Sequence, residues 1–101
     1  MNNVMVRYRV KPERAAENEQ LVRAVYEELA RAAPDGFRYA TLVLDDGVSF
    51  VHIASIATED GDNPLREIKA FAEFQRDIAA RCDEAPSVTG FREVRSFGLF
   101  A

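Results

Sequence analysis

Residues 48–57, VSFVHIASIA, constrain the fold of this chain more than any other segment. The segment is rich in residues that favour strands, is apolar on both of its faces, and holds the only histidine, His52. A strand of this kind belongs in a sheet that is covered on both sides. A chain of 101 residues with about two helices covers only one side itself, so we expect a second copy of the protein to cover the other.

The composition indicates one folded domain over residues 1–101 and narrows the classes of partner. With 48% hydrophobic and 30% charged residues, the chain has the composition of a globular protein. Its net charge of −4 supplies no broad cationic surface for nucleic acid or for an anionic membrane. The first residues lack an apolar targeting core and no run of about 18 apolar residues occurs, so we expect a cytoplasmic protein. Cys82 is the single cysteine, which excludes an internal disulfide.

The hydrophobic period changes from that of a strand to that of a helix near the start of the chain. Residues 4–10 alternate between two faces, with Tyr8 on the apolar one, which is typical of a strand. From Pro12 onward apolar residues recur at helical spacing, and the sequence Pro-Asp-Gly at residues 34–36 ends that helix. The segment therefore predicts a strand followed by a helix.

Residues 37–44 and 48–57 predict a hairpin, because the Asp-Gly step at Asp46 and Gly47 is a strong signal for a tight turn. With these two as the loop, one register follows. It pairs Asp45 with Val48, Val43 with Phe50, Thr41 with His52, Tyr39 with Ala54 and Phe37 with Ile56. One face of the hairpin then carries the aromatic residues and His52, while the other carries Ala40, Leu42, Leu44, Val51 and Ile53. Neither face has the polarity of a solvent-exposed surface.

The second half of the chain predicts one helix and one strand. Asn63 is placed to cap a helix with Pro64 at its first position, and the apolar stripe runs to about Cys82, with Gln75 in its middle. Residues 83–86 close this helix, and residues 87–100 supply the last strand. The order βαββαβ predicts an α+β, ferredoxin-like plait, with a four-stranded antiparallel sheet and both helices on one face.

Several short segments together resemble one known family. They are residues 4–13, 33–39, 49–53, 63–65 and 71–75, with the sequences VMVRYRVKPE, APDGFRY, SFVHI, NPL and FAEFQ. These segments resemble the antibiotic-biosynthesis-monooxygenase-like branch of the dimeric α/β-barrel superfamily, over nearly the whole chain. The resemblance implies a homodimer in which two plaits pack their open sheet faces together, and a ligand cavity in each subunit between the sheet and the helices.

The same resemblance places a set of side chains in that cavity. From the sheet they are Tyr8, Tyr39, Thr41, Phe50 and His52, and from the second helix Phe71, Phe74 and Gln75. A largely apolar wall with a few polar groups suits a small organic ligand. The superfamily includes cofactor-free oxygenases of polycyclic aromatic compounds, haem-degrading enzymes, isomerases, decarboxylases and members without known activity, so the resemblance limits architecture more than chemistry.

The chain departs from active members of that superfamily at two positions. Several of them carry a tryptophan near the end of the third strand, where Ile56 stands here, and this chain has no tryptophan at all. No asparagine falls in the middle of the first strand. Haem breakdown is therefore not expected, and we expect no cofactor.

Two interpretations of His52 stay open. Its imidazole could be the general base that makes a phenol or enol anion able to reduce oxygen directly. It could instead be a core residue whose ring nitrogens are satisfied by Thr41, by the backbone or by water, since intermediate burial is common for histidine. Gln75 needs partners if it is buried, which a ligand or His52 could supply, or it lies at the surface. Tyr8 and Tyr39 are either packing residues or direct participants.

The remaining charged residues predict no site of their own. Arg7 and Arg9 alternate onto the face away from the cavity, where we expect them to pair with Glu93 or with the second subunit. The acidic loop at residues 59–62 lacks the ligand spacing of a cation site and is interpreted as a solvated turn. With one histidine and no ordered carboxylate cluster, we expect no metal site.

The sequence thus predicts a homodimer whose subunit cavity binds a small apolar or aromatic metabolite. Its function would be that of a cofactor-independent monooxygenase acting on an aromatic or polyketide-like compound, with His52 as the base. The alternative is a ligand-binding or stress-related module without enzymatic activity.

Overall fold

The computed structural model describes residues 2–99 and contains one antiparallel sheet with the strand order β2-β3-β1-β4. The strands are β1 (Asn2–Val10), β2 (Phe37–Val43), β3 (Ser49–Ile56) and β4 (Cys82–Gly90). The helices are α1 (Ala15–Ala32), α2 (Lys69–Arg76) and α3 (Ile78–Arg81), with 3₁₀ turns at Pro12–Arg14 and Pro64–Glu67. The predicted ferredoxin-like order of strands and helices is confirmed. None of the described helices is both long enough and apolar enough to cross a membrane.

The β2–β3 hairpin has the register that the sequence predicts. Thr41 lies opposite His52, and the ladder runs from Phe37 opposite Ile56 to Val43 opposite Phe50. The turn is longer than predicted, because Leu44 donates its N–H to Ser49 O and residues 45–48 form the connection. The Asp46 carboxylate accepts hydrogen bonds from the N–H groups of Val48 and Ser49, which stabilises this wider loop.

Gly36 joins the other end of the same hairpin. Its φ angle is +75°, a left-handed conformation that side chains with a Cβ rarely adopt, and a Cβ at this position would collide with the carbonyl oxygen of Ala57. The Ala57 N–H donates to Gly36 O at 2.7 Å. The hairpin is therefore held at both ends, by the Asp46 loop at one end and by Gly36 at the other.

The helices cover one face of the sheet and enclose the hydrophobic core there. The face that β3 turns towards them is buried at every second residue, with His52 and Phe50 6% and 2% exposed. Phe50 packs in one cluster with Val22 and Val25 of α1 and Phe74 of α2. The predicted α1 ends as expected: Ala33 takes a left-handed conformation with φ 43°, directly before Pro34.

The second helical region is broken where the sequence predicts one continuous helix. Asn63 caps only the 3₁₀ turn, its Oδ1 accepting the Leu65 N–H at 3.0 Å. Ile68 is buried with extended backbone, and the helix restarts at Lys69, whose N–H donates to the Glu28 carboxylate of α1. A second break falls at Asp77. A tertiary hydrogen bond has overridden the local helical pattern.

The last strand also differs from the prediction. β4 spans Cys82–Gly90, so residues 83–86, expected to close a helix, are part of the strand. Pro86 lacks an N–H but is tolerated, since β4 lies at the edge of the sheet. Residues 91–99, which we predicted as strand, lie outside the regular elements, and Phe100 lies outside the described residues.

The other face of the sheet has no covering layer within the described residues. We call it the open face; it carries Met5, Ala40, Leu42, Leu44, Val51 and Ile53. Leu42 is 49% exposed there, and Asn3 Oδ1 is buried without a hydrogen-bond partner in the described part of the chain. Arg9 forms an ion pair with Glu84 at 3.2 Å, which corrects the expectation that it pairs with Glu93.

Candidate functional site

His52 lies in the middle of β3, between the two strands that supply its neighbours. Thr41 of β2 is directly opposite on one side and Val6 of β1 on the other. Because residues two apart on a strand share a face, Tyr8 and Tyr39 point to the same helix-covered side as His52. The ring centroids of Tyr8 and Tyr39 lie 5.3 and 5.8 Å from that of His52, and the Phe74 ring of α2 lies 5.4 Å away.

Both ring nitrogens of His52 are hydrogen-bonded to side chains. Nε2 is 2.8 Å from the Tyr8 hydroxyl. Nδ1 is 2.6 Å from the Tyr39 hydroxyl and 3.3 Å from Thr41 Oγ1, and Thr41 Oγ1 is in turn 2.9 Å from the Tyr26 hydroxyl. The imidazole is thus satisfied by three hydroxyl groups of the same chain, as the core interpretation of this residue requires.

Burial keeps this group of side chains uncharged. Desolvation lowers the pKa of His52 to about 4, so the imidazole is neutral at pH 7. The same cause raises the pKa values of the Tyr8, Tyr39 and Tyr26 hydroxyls. The site therefore offers neutral hydrogen-bonding groups rather than a fixed charge.

The series of hydrogen-bonded side chains continues into the core through two residues that the sequence analysis missed. Asn18 of α1 donates from Nδ2 to the Tyr8 hydroxyl at 2.9 Å, and its Oδ1 accepts from Arg81 Nε at 3.0 Å. Arg81 is 0% exposed, donates from Nη2 to Phe74 O at 2.7 Å, and lies over the Phe74 ring. The sequence does carry a signal for Asn18, since it lies four residues before Val22 on the apolar stripe of α1.

An open cleft of about 760 Å³ lies between α1 and β2, next to His52. We call it the tyrosine cleft; its lining residues are Glu19, Val22, Arg23, Tyr26, Glu27, Ala30, Tyr39, Ala40, Thr41, Val43 and Phe50. Tyr39, Thr41 and Phe50 are residues that the sequence predicts for ligand binding, and Tyr26 is one that it missed. Tyr26 stacks on Tyr39 with ring centroids 5.3 Å apart, so α1 and β2 meet through these two rings.

The remaining predicted residues lie in the core or at the surface. Tyr8 and Phe74 are 2% and 4% exposed and fill the interior beside His52. Phe71 is half-buried and stacks on Phe74. Gln75 is exposed, so of the two positions considered for it the structure has the surface one, away from His52.

A second cleft, of about 770 Å³, is lined by acidic residues of the 59–62 loop and its neighbours. These side chains serve the loop itself, as Asp60 accepts the N–H of Asp62 and Thr58 donates to Asp62 O. Within residues 2–99, no three His, Cys, Asp or Glu side chains come together as metal ligands would.

Comparisons with known proteins identify the fold. No family model matches the sequence, and no curated protein is found similar to it. Among solved structures, an antibiotic biosynthesis monooxygenase matches with 21% identity and a TM-score of 0.70, over 94% of this chain and 100% of its own. Rv0793 from Mycobacterium tuberculosis matches with 18% identity and a TM-score of 0.68, over 94% and 96%.

A third match is a variant of SnoaB, a cofactor-independent oxygenase from Streptomyces nogalater. It is 20% identical, with a TM-score of 0.65, and 96% of each chain is covered. Likenesses at this level of identity show shared architecture and leave chemistry to be argued from the site. The chain therefore has the fold of the antibiotic-biosynthesis-monooxygenase-like proteins, as its sequence segments indicate.

Proposed function

We propose that this protein binds a small aromatic or polyketide-like metabolite in the tyrosine cleft. The observation that carries this proposal is the composition of the cleft wall. Val22, Val43 and Phe50 make it apolar, while Tyr26, Tyr39 and Thr41 bring a hydrogen-bonded group of hydroxyls to it. Small-molecule sites combine these same two elements, an apolar wall for affinity and a few placed polar groups for orientation.

Filling the cleft tests this proposal. Ala30 lines the cleft and is exposed, so Ala30→Trp puts a large ring into the cleft without disturbing the core. Ala24 lies exposed on the same helix outside the cleft lining, and Ala24→Trp is the matched control. With polycyclic phenols and quinones as probes, calorimetry should show binding to the wild type and to Ala24→Trp, and loss of binding in Ala30→Trp. Equal binding by both variants would place the ligand elsewhere.

We also propose that the protein is a homodimer joined through the open face. That face carries six apolar residues, two of which, Leu42 and Leu44, are 49% and 36% exposed in the single chain. A second copy packed there would remove this apolar surface from water.

The second candidate function is catalytic. The fold is shared with a cofactor-independent oxygenase. His52 is hydrogen-bonded to the hydroxyl of Tyr39, which lines the tyrosine cleft. As a base, the imidazole would take a proton from an activated ring methylene or phenol, and the anion would reduce oxygen directly. In the balanced reaction of a methylene, one oxygen atom becomes the carbonyl and the other leaves as water with both hydrogens.

The pKa of His52 sets a limit on this role. An imidazole with a pKa of about 4 is a weak base, and proton transfer from an ordinary phenol of pKa about 10 would be opposed by several kcal/mol. Only a substrate with an acidic proton, whose anion then stabilises the imidazolium, fits this base.

Oxygen uptake separates the two functions. Oxygen uptake is measured with quinol and anthrone-like compounds that bind the cleft. The wild type is compared with His52→Ala and with Gln75→Ala, an exposed position that serves as the control. Oxygen consumption that is lost only in His52→Ala supports the monooxygenase. Binding without oxygen consumption supports the alternative, a ligand-binding or stress-related module.

A further inference from the structure

We infer that every hydrogen bond on the path from Arg81 through Asn18, Tyr8 and His52 is donated towards the tyrosine cleft. The cleft therefore presents a hydrogen-bond donor and binds its ligand through a carbonyl or phenolate oxygen. Asn18 and Arg81 are then positioning residues for the site. The requirement on the ligand rests on the proposed function, whereas the direction of the hydrogen bonds does not.

Arg81 fixes the direction at the inner end of the chain. Its guanidinium has donors only, so the atom of Asn18 that faces Arg81 Nε must be the carbonyl oxygen. The amide nitrogen of Asn18 therefore faces Tyr8 and donates to its hydroxyl oxygen. With that oxygen accepting from Asn18, the Tyr8 O–H has one partner left among the described side chains, which is His52 Nε2 at 2.8 Å.

The same reasoning fixes the tautomer of His52. If Nε2 carried the proton, Tyr8 would accept two hydrogen bonds and its own buried O–H would have no acceptor, which is costly in a residue 2% exposed. Nε2 is therefore the acceptor and Nδ1 carries the proton. Nδ1–H then donates towards Tyr39, 2.6 Å away, and Thr41.

At the cleft, protons outnumber the contacts between the groups that carry them. Nδ1–H and the hydroxyls of Tyr39, Thr41 and Tyr26 carry four protons, and three contacts join these groups: Nδ1 with Tyr39, Nδ1 with Thr41, and Thr41 with Tyr26. Each contact uses one proton at most, so at least one hydroxyl proton has no acceptor among these groups and is free for an acceptor in the cleft. A ligand oxygen is its natural acceptor.

The alternative tautomer would reverse this outcome. With Nδ1 as an acceptor, it would take one of the three hydroxyl protons, and the remaining hydroxyls could satisfy one another. The outward direction also turns the lone pair of His52 towards Tyr8 and away from the cleft, so a protonated Nδ1 counts against His52 as the base of the second candidate function.

Nitrogen NMR measures the tautomer without any ligand. His52 is the only histidine, so an untagged, ¹⁵N-labelled protein gives one pair of ring nitrogen signals, which their couplings to the ring protons assign. We expect a protonated Nδ1 and an unprotonated Nε2 at pH 7. Since histidine in water prefers the other tautomer, this result would not arise by default. A protonated Nε2 overturns the inference.

One isosteric substitution should switch the tautomer. In Asn18→Asp, the carboxylate still accepts from Arg81 but no longer donates, so the Tyr8 O–H turns towards it and His52 Nε2–H donates to Tyr8. The ring signals should exchange their protonation states. Asn63→Asp is the matched control, because its Oδ1 only accepts from Leu65 and lies in another part of the fold. A tautomer that is the same in Asn18→Asp and the wild type contradicts the positioning role.

If Asn18→Asp does not fold, Tyr8→Phe serves the same purpose. It keeps the ring and removes the hydroxyl, and we expect the fixed Nδ1–H tautomer to give way to a mixture. Retention of a pure Nδ1–H form in this variant would show that Tyr8 does not set the tautomer.

Three tricyclic probes of similar shape test the requirement on the ligand. Fluorenone carries a carbonyl acceptor, carbazole an N–H donor, and fluorene neither. We expect fluorenone to bind about tenfold more tightly than fluorene, and carbazole no more tightly than fluorene. Tyr26→Phe together with Tyr39→Phe should abolish the preference. Preference for carbazole overturns the acceptor requirement, whereas failure of all three to bind overturns it together with the proposed function, while the NMR result still decides the direction of the bonds.

Discussion

The two faces of the sheet differ in how far their side chains are buried within a single copy of the chain. On the helix-covered face even the polar groups are enclosed: Asn18 and Arg81 are both 0% exposed, and each has hydrogen-bond partners. On the open face the apolar side chain of Leu42 is 49% exposed, and the buried Oδ1 of Asn3 is unpartnered in the described part of the chain. The core under the helices is therefore complete within one copy of the chain, whereas Val43 of the same face is 46% exposed and lines the tyrosine cleft.

This difference separates the two roles that we propose for the faces. A face whose buried polar groups, Asn18 and Arg81 among them, have partners within the chain can hold a fixed hydrogen-bond pattern that ends in a free hydroxyl at the cleft. A face that leaves apolar side chains exposed gains stability when another surface covers it.

The comparison is sharpest for a pair of arginines. Arg81→Ala removes a fully buried group and leaves Asn18 Oδ1 and Phe74 O without their donor, so we expect a loss of about 3–5 kcal/mol in the free energy of unfolding. Arg9→Ala removes an exposed ion pair and should cost about 0.5 kcal/mol or less. Urea denaturation measures both. Similar losses in the two variants would contradict the contrast between the faces.

The stability of the helix-covered face should depend on pH through His52. Because burial lowers its folded pKa from the ordinary 6.5 to about 4, the unfolded chain binds the proton more readily between these values. Stability is then fully present above about pH 6.5 and falls as the pH drops, by about 2.5 kcal/mol at about pH 4.5.

The variant His52→Gln isolates this contribution. Acidic residues titrate in part of the same range, so the quantity to measure is the difference between the wild type and the variant at each pH. We expect the wild type to lose more stability than the variant on acidification. Parallel curves would show that His52 has an unshifted pKa.

A charge on the open face should weaken association without unfolding the protein. Ile53→Glu places a carboxylate among the apolar residues of that face, and we expect the dimer dissociation constant to rise by about tenfold or more. Ala24→Glu, on the exposed side of α1, should leave it unchanged. Sedimentation equilibrium measures both. A wild type that sediments as a monomer at micromolar concentration would remove the basis for this prediction and for the homodimer.

The smallest effect is expected at Gln75. Its side chain is exposed and lies outside the tyrosine cleft, so Gln75→Ala should change stability by no more than about 0.5 kcal/mol and leave ligand affinity unaltered. Denaturation and calorimetry on the same sample test this. A loss of binding would show that Gln75 contributes to the ligand site.

The parts of the fold that the sequence predicts are those fixed by local signals. The Asp-Gly turn and the alternation of β3 determine which residues face His52, and the ladder confirms that register. The break at Ile68 has no such signal, because the helix restarts where Glu28 of a different helix accepts the N–H of Lys69. The start of β4 is likewise set by pairing with β1.

The candidate site also contains residues with a local sequence signal and residues without one. Tyr8, Tyr39, Thr41 and His52 share one face of the sheet, and period-two alternation is enough to group them. Arg81 could not be found this way, because an arginine in a short helix is normally exposed and only its three-dimensional partners explain its burial. Tyr26 comes from a helix, and its contact with Thr41 depends on how that helix lies on the sheet.

Gly36 has a consequence for how this protein can change. Since its carbonyl holds Ala57 and the Asp46 loop holds the opposite end, β3 cannot slide along β2 by one position without breaking both attachments. Such a shift would carry the imidazole to the other side of the sheet. Insertions in β2 or β3 between these two attachments should therefore be selected against during evolution, whereas the surrounding loops can vary in length.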